Sequence, residues 1–199
     1  MHKKQELLLK ISEIISEKGY ERTSIRDIAA HVGMTNAGLY HYFESKEAIL
    51  AEIMNYALDN ALKAMNERLP KIKSAKDKLA WIIQDQIMFF VKNQSQSKAL
   101  INEKGALKER HGKVIRKKNE EYVNLLRQVV KQILQESHNT AVDETAAIFI
   151  LMEMMNGIVH WYKPEGRITP NELASIMVHI FLHGITGKSN VKHTRNNRD

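Results

Sequence analysis

The sequence has no cysteine and few residues that interrupt helices, and both shortages narrow the class of protein. With no cysteine in 199 residues, a disulfide framework is excluded, and a reducing cytoplasm is the expected compartment. Only 3 prolines and 9 glycines are present, so long helices face few breaks. No apolar run approaches the roughly 18 residues of a membrane-spanning helix, and the first residues lack a signal-peptide core. We therefore expect a soluble, cytoplasmic protein without membrane contact.

The charge of the chain favours an anionic partner but does not locate its site. The formal net charge is +7 at neutral pH, and the isoelectric point is about 9.5, which points first to nucleic acid and second to an anionic ligand. Residues 1–46 nevertheless hold seven Lys or Arg against six Asp or Glu. Any DNA-binding segment there must be recognised by its motif rather than by its charge.

Apolar residues recur every three or four positions along almost the whole chain, which predicts an all-α protein of about nine helices. Gly19 and Gly33 are placed to end the first two helices. The helix starts are predicted at Thr23 or Ser24 (with Asp27 completing a capping box), at Thr35 or Asn36, and at Ser45. Later helices are predicted near residues 76–92, 95–104, 107–136, 145–163 and 170–186. The predicted division is a helix-turn-helix domain at 1–46, a ligand-binding and dimerisation bundle at 47–187, and a disordered basic tail at 188–199.

The segment from Thr23 to Lys46 is the most informative part of the chain. Two short helices joined at Gly33 predict a helix-turn-helix, in which the second helix reads DNA. At the start of that helix, Asn36 can pair with adenine and the Ala37 methyl can pack on thymine. Lys46 falls in the first turn of the next helix, where the helix dipole disfavours a cation. We therefore expect a DNA phosphate beside it.

The residues from Gly33 to Leu50, with Leu39-Tyr40 and Tyr42-Phe43 between them, closely resemble the signature of the TetR family. Upstream, Gly19-Tyr20 and Ile28-Ala29 fit the same pattern. The resemblance implies a bacterial all-α homodimer that binds a palindromic operator through its first three helices, represses transcription and is not an enzyme. The DNA contacts of the family correspond here to Thr23, Arg26, Thr35, Asn36, Ala37, Tyr40, His41, Tyr42 and Lys46.

The family places its effector pocket inside the C-terminal bundle. We take as candidates the polar or aromatic residues that interrupt apolar helix faces. Ordinary core packing or solvent exposure is the more common role for any single one of them. The candidates are Trp81, Asp85, Met88, Phe89, Tyr122, Met152, Asn156, His160 and Trp161.

A weaker resemblance suggests an effector. Residues 156–174 resemble the junction of the last two helices in a TetR branch that controls fatty-acid or steroid degradation and responds to acyl-coenzyme A. Turn and cap chemistry at Pro164, Thr169 and Pro170 explains this junction without a ligand. A basic stretch can bind the coenzyme phosphates, although a solvated helix face explains it equally well: Lys104, Lys108, Arg110, Lys113, Arg116, Lys117 and Lys118. The alternative is a multidrug-type sensor of an efflux gene, with Asp85, Glu153 and both tryptophans around a cation.

The last two helices are apolar over most of their circumference, which predicts a homodimer formed through them. His179 and His183 share one helix face, with His160 as a third candidate metal ligand. Two histidines without a cysteine or a placed carboxylate seldom bind a metal. No nucleophile, phosphate-loop or zinc motif is present, so we predict no catalytic site, metal or resident cofactor.

Overall fold

The computed structural model describes residues 2–103 and 105–187, and within these ranges the chain forms nine α-helices and no strand. The all-α prediction is confirmed. The predicted tail at 188–199 and Lys104 of the basic stretch lie outside the described residues. The helices are α1 (His2–Lys18), α2 (Ile25–His31), α3 (Asn36–Tyr42), α4 (Lys46–Arg68), α5 (Ala75–Lys92), α6 (Gln94–Asn102), α7 (Glu109–Glu136), α8 (Glu144–Trp161) and α9 (Pro170–Thr186).

Side-chain caps fix several of the helix starts. Ser24 caps α2 in a capping box with Asp27, as predicted, and its backbone N–H donates to Asp27 Oδ2 at 2.8 Å. Thr35 caps α3, Ser45 caps α4, and Thr169 caps α9. Each cap satisfies a backbone N–H that would have no partner inside its helix. Short polar residues therefore set the boundaries of the reading helix and of both flanking helices.

The glycine predictions also hold. Gly19 has φ +82° and Gly33 has φ +70°, a backbone region that strains any residue with a Cβ. Gly19 follows α1 directly, and Gly33 lies in the turn between α2 and α3. The geometry of the helix-turn-helix thus depends on Gly33.

Two hydrophobic clusters stabilise the molecule. The larger one lies among α5, α7, α8 and α9. The smaller one contains the apolar faces of α1, α2 and α3 and a buried stripe of α4 that includes Ile49 and Leu50. It is completed by Ala99 of α6, Leu107 of the α6–α7 connection and Ile115 of α7. The N-terminal segment therefore shares its core with the bundle, without a gap in packing at residue 46.

Within the described residues, none of the helices combines the length and the apolar character needed to cross a bilayer.

Candidate DNA-binding head and ligand cavity

Helices α1 to α3, which we call the head, present one polar surface on the short helix α3. Leu39 and Phe43 point into the core and are almost fully buried. On the opposite side, the side chains of Asn36, Ala37 and Tyr40 are exposed, and His41 beside them is exposed too. These are the residue types that hydrogen-bond base edges and phosphates in a major groove.

Three other predicted DNA contacts are placed around this surface. Arg26 on α2 is exposed and Tyr42 is half-buried, with the Tyr42 ring edge-on to that of His41 at 5.5 Å between centroids. Thr35 is exposed, but its hydroxyl oxygen already accepts the N–H of Gly38 at 3.0 Å. The capping role of Thr35 leaves its hydroxyl hydrogen for a phosphate or a base.

The side chains of Thr23 and Lys46 donate hydrogen bonds to backbone carbonyls within the protein. Thr23 is 1% exposed, and its hydroxyl donates to the carbonyl of Gly19 at 2.7 Å. The Lys46 ammonium donates to the carbonyls of Tyr20 and Thr23, both at 3.0 Å, and lies 4.1 Å from the centre of the Tyr20 ring. These internal partners explain a cation in the first turn of α4, where the sequence suggested a phosphate. Two of the three ammonium N–H groups are occupied in this way.

Two carboxylates accept hydrogen bonds where the head meets the bundle: one joins the head to the end of α6, and the other joins α4 to the start of α7. Glu103, at the end of α6, accepts the backbone N–H of Tyr20 at 3.0 Å. Glu47, in the first turn of α4, accepts the backbone N–H of Lys108 at 2.9 Å and lies 3.2 Å from His111 Nδ1. We call these contacts the junction. Burial raises the pKa of Glu47, but the hydrogen bonds from His111 and Lys108 outweigh it and lower the pKa overall.

The bundle encloses a cavity of about 730 Å³, bounded by α4, α5, α6, α7 and α8. This volume is typical of small-molecule sites. Its walls are mainly apolar, with a smaller set of polar side chains. Six of the nine predicted ligand residues line it: Asp85, Met88, Phe89, Tyr122, Met152 and Asn156.

The other three predicted ligand residues do not line this cavity. Trp81 is partly buried against the larger hydrophobic cluster, while His160 and Trp161 are exposed in the last turn of α8. Trp81 lies one helical turn before Asp85, and its side chain is taken up by core packing. Trp161 is 59% exposed, because α8 ends there beyond the cavity wall.

Several lining residues were absent from the sequence-based set. Tyr56 and Asn60 enter the cavity from α4, and Arg116 and Asn119 enter it from α7. The signal for Tyr56 and Asn60 was present, because both interrupt the apolar stripe of α4. Arg116 belongs to the predicted basic stretch, and it alone of that stretch's described members lines the cavity.

The remaining basic stretch is solvated or paired. Lys118 Nζ lies 2.6 Å from Asp59 Oδ1 and donates to Asn55 at 2.7 Å. The side chains of Lys108, Arg110, Lys113 and Lys117 are exposed. Most of this stretch is thus a charged helix face beside the cavity rather than part of its wall.

His179 and His183 lie on the exposed side of α9 with ring centroids 4.0 Å apart. In the part of the chain that the structure describes, no third histidine, cysteine or carboxylate joins them in a metal-binding group. His160 is on α8, outside any such group.

A helix-turn-helix with a capped, exposed second helix, joined to a helical bundle that contains a cavity, is the architecture of a helix-turn-helix regulator. Two family models match the chain: bacterial regulatory proteins, tetR family, over residues 7–53, and the tetracyclin repressor-like C-terminal domain over residues 73–185. The chain belongs to the TetR family of transcriptional regulators. This family consists of regulators rather than enzymes.

Three relatives show which branch the chain resembles. It is 24% identical to the transcriptional repressor KstR2 of Rhodococcus jostii, with 94% of this chain and 93% of the relative covered. A fatty acid metabolism regulator of Bacillus subtilis is 32% identical over 36% of this chain and 37% of its own. The structure of AibR in complex with isovaleryl coenzyme A and operator DNA superposes with TM-score 0.81 at 29% identity, covering 89% of this chain and 96% of AibR. The resemblance to the fatty-acid and steroid branch is thereby confirmed.

Proposed function

We propose that the chain is a homodimeric repressor that binds a palindromic operator through α3 and leaves it when an acyl-coenzyme A thioester enters the cavity. The observation that carries the DNA-binding part is the surface of Asn36, Ala37, Tyr40 and His41. These side chains are exposed on a helix whose opposite side is locked by Leu39 and Phe43. A rigid helix with a polar outer surface is what insertion into a major groove requires.

The apolar outer faces of α8 and α9 support the dimer. Ile150 on α8 is 58% exposed, and Ile176 and Ile180 on α9 are 44% and 56% exposed. Trp161 on α8 is also 59% exposed, so both of the last two helices carry large apolar side chains that a partner subunit can cover. A second copy related by a two-fold axis covers the same surface on both subunits and brings two heads to one side of a duplex.

The cavity walls and the relatives support the thioester. An apolar wall suits an acyl chain, and Arg116, with the exposed cations Lys113 and Lys117 on the same helix, suits phosphates. AibR, a structural neighbour, was solved with isovaleryl coenzyme A. For the multidrug alternative, Asp85, Glu153 and both tryptophans were available around a cation; the two carboxylates line the cavity, whereas Trp81 and Trp161 do not.

Release of DNA follows from the position of α4. This helix begins beside the reading helix and contributes Tyr56 and Asn60 to the cavity wall. A ligand that prefers a displaced α4 shifts the population toward dimers whose heads no longer match successive grooves. The junction transmits the movement, because Glu103 joins the head to the end of α6 and Glu47 joins α4 to the start of α7.

The DNA-binding part is tested by selecting an operator from random duplexes and measuring binding by fluorescence anisotropy. Asn36→Ala should relax the preference at one base pair per half-site by about 1–3 kcal/mol. His138→Ala, far from the head in sequence, is the control and should leave the selected sequence unchanged. An equal loss of affinity on every duplex contradicts base reading by Asn36.

The effector part is tested by adding octanoyl-coenzyme A, free coenzyme A or octanoate to the operator complex. The thioester should release DNA, and Arg116→Gln should raise the concentration needed by about tenfold, the loss expected for one charge-assisted contact. Lys131→Gln removes an exposed cation of the same helix and should have no effect. Lack of release by thioesters of any chain length overturns the proposed effector.

A further inference from the structure

Asp85 on α5 is a carboxylate in the cavity wall without a partner. It is half-buried, and it makes no hydrogen bond or ion pair with any of the residues that the structure describes. Burial raises its pKa above the ordinary range of an aspartate. A desolvated carboxylate without a hydrogen-bond donor lowers stability, so its place in a ligand cavity needs an explanation.

Several polar side chains lie in the same cavity wall as Asp85, yet among the described residues none of them donates a hydrogen bond to it. The Tyr122 hydroxyl, deeply buried in the same wall, donates to Gln86 Oε1 at 3.1 Å rather than to Asp85. Burial, followed by the negative charge of Asp85, raises the pKa of Tyr122, so the phenol stays neutral. Lys92 and Arg116 also line the cavity, yet neither forms an ion pair with Asp85 within the described ranges.

Two other carboxylates of the bundle have cationic partners. Asp59 pairs with Lys118 at 2.6 Å, and Glu144 pairs with Arg127 at 3.3 Å. These two surface carboxylates are thus paired with cations, whereas Asp85, a half-buried carboxylate of the cavity wall, has no ion-pair partner among the described residues. Both oxygens of Asp85 remain as acceptors for a group that arrives with the ligand.

We propose that Asp85 determines the head-group specificity of the cavity: it accepts a hydrogen bond from an N–H or O–H of the effector and excludes a carboxylate. This inference rests on the proposed function, in which the cavity takes an apolar chain. A ligand carboxylate placed beside the half-buried Asp85 would bring two negative charges together, which disfavours the ionised form of both. An amide or hydroxyl group following the chain instead supplies the donor that Asp85 lacks.

Asp85 would distinguish an acyl thioester from the corresponding free fatty acid. A coenzyme A thioester carries amide N–H groups beyond its acyl chain and no charge at the thioester itself, whereas the free fatty acid carries a carboxylate at that position. Asp85 would thus let the regulator respond to the activated acid while the unactivated acid is present.

The test uses the full-length protein without DNA and three ligands with the same chain: octanamide, methyl octanoate and octanoate. Affinities are measured by isothermal titration calorimetry at neutral pH. Octanamide should bind at least about tenfold more tightly than octanoate, with the ester between them, as expected for a hydrogen bond to a charged group and a like-charge penalty. Asp85→Asn should strengthen octanoate binding about tenfold and change octanamide binding less than about threefold.

The matched control is Glu153→Gln, which removes a carboxylate of the same cavity that is exposed to solvent. It should leave the order of the three ligands unchanged. The proposal is overturned if octanoate binds the unmodified protein as tightly as octanamide does, if octanamide does not bind, or if Glu153→Gln abolishes the discrimination as well. Retained octanamide binding shows that Asp85→Asn is folded. Since neither DNA nor coenzyme A is present, the result is independent of whether thioesters release the operator.

Discussion

The carboxylates of the junction have hydrogen-bond partners, whereas Asp85 in the cavity has none among the described residues. Glu47 and Glu103 at the junction accept backbone or imidazole hydrogen bonds, and the pKa of Glu47 is lowered. Asp85 in the cavity has no partner among the described residues, and burial raises its pKa. The contrast shows that the contacts between the head and the bundle favour a fixed arrangement, while the cavity keeps an unfavourable group that a ligand can satisfy.

The largest expected effect compares a side chain of the head core with one of the cavity wall. Leu39 is fully buried, whereas Met88 is 44% exposed. Leu39→Ala should lower the free energy of unfolding by about 2–5 kcal/mol, and Met88→Ala by less than about 1 kcal/mol. Urea unfolding measures both. If both variants lost a similar free energy of unfolding, the cavity wall would be as tightly packed as the core of the head, which would contradict the comparison.

The next effect concerns Lys46 and separates an internal role from a phosphate contact. Lys46→Met removes two hydrogen bonds to carbonyls of the α1–α2 segment and should cost about 1–3 kcal/mol of stability. If the role is internal, operator affinity falls while the slope of log affinity against log salt stays unchanged. Arg26→Gln, which removes an exposed cation, should reduce that slope by about one. A reduced slope for Lys46→Met would restore the phosphate contact expected from the sequence.

Asp85→Asn should change the stability of the protein by less than the preceding variants do, and in the opposite direction. Because its pKa in the folded state is raised, the ionised carboxylate destabilises the protein above that pKa, and the penalty disappears as the pH falls through it. Asp85→Asn should therefore stabilise the protein at pH 7, by on the order of 1 kcal/mol. In thermal unfolding, the difference between the variant and the parent should shrink as the pH falls through the folded-state pKa of Asp85. A destabilised variant at pH 7 would mean that the carboxylate has a partner in solution.

The smallest effect belongs to Glu47. Its pKa is lowered below the usual 4.5, so the stabilisation from its charge is complete above that pH and is lost as the pH falls through the folded-state pKa. Glu47→Gln should lower the melting temperature at pH 7 by no more than about 2 °C, and this difference should shrink as the pH falls through the folded-state pKa of Glu47. Asp143→Asn, a cap on α8 outside the junction, is a control for coupling. Of the two, only Glu47→Gln should change the effector concentration that releases DNA.

Local chemistry made the fold largely predictable. Gly19 and Gly33 need a backbone conformation that other residues avoid, and Ser24 and Thr35 satisfy N–H groups within three residues of themselves. Such signals do not depend on distant parts of the chain. The helix ends were therefore predicted within a few residues, and the exposed residues of α3 followed from their spacing.

The site was less predictable where partners come from far along the chain. The carbonyls that bind Lys46 belong to residues 23 and 26 positions away, and no side-chain pattern marks a carbonyl acceptor. The cavity residues Tyr56 and Arg116 become neighbours only because α4 packs on α7. Trp81 was assigned to the cavity by its residue type, yet a one-turn difference along α5 decides between Trp81 in the core and Asp85 in the wall.

The shared core of the head limits how this regulator can be rebuilt. Since Ala99, Leu107 and Ile115 complete the cluster that buries α1 to α3, a fragment cut after residue 46 would lose part of its own interior. A chimera that exchanges operator specificity between two regulators must then carry α4 and the matching α6–α7 segment together with the reading helix. To transfer operator specificity to another regulator, one would therefore have to move a larger part of the chain than the helix-turn-helix motif alone.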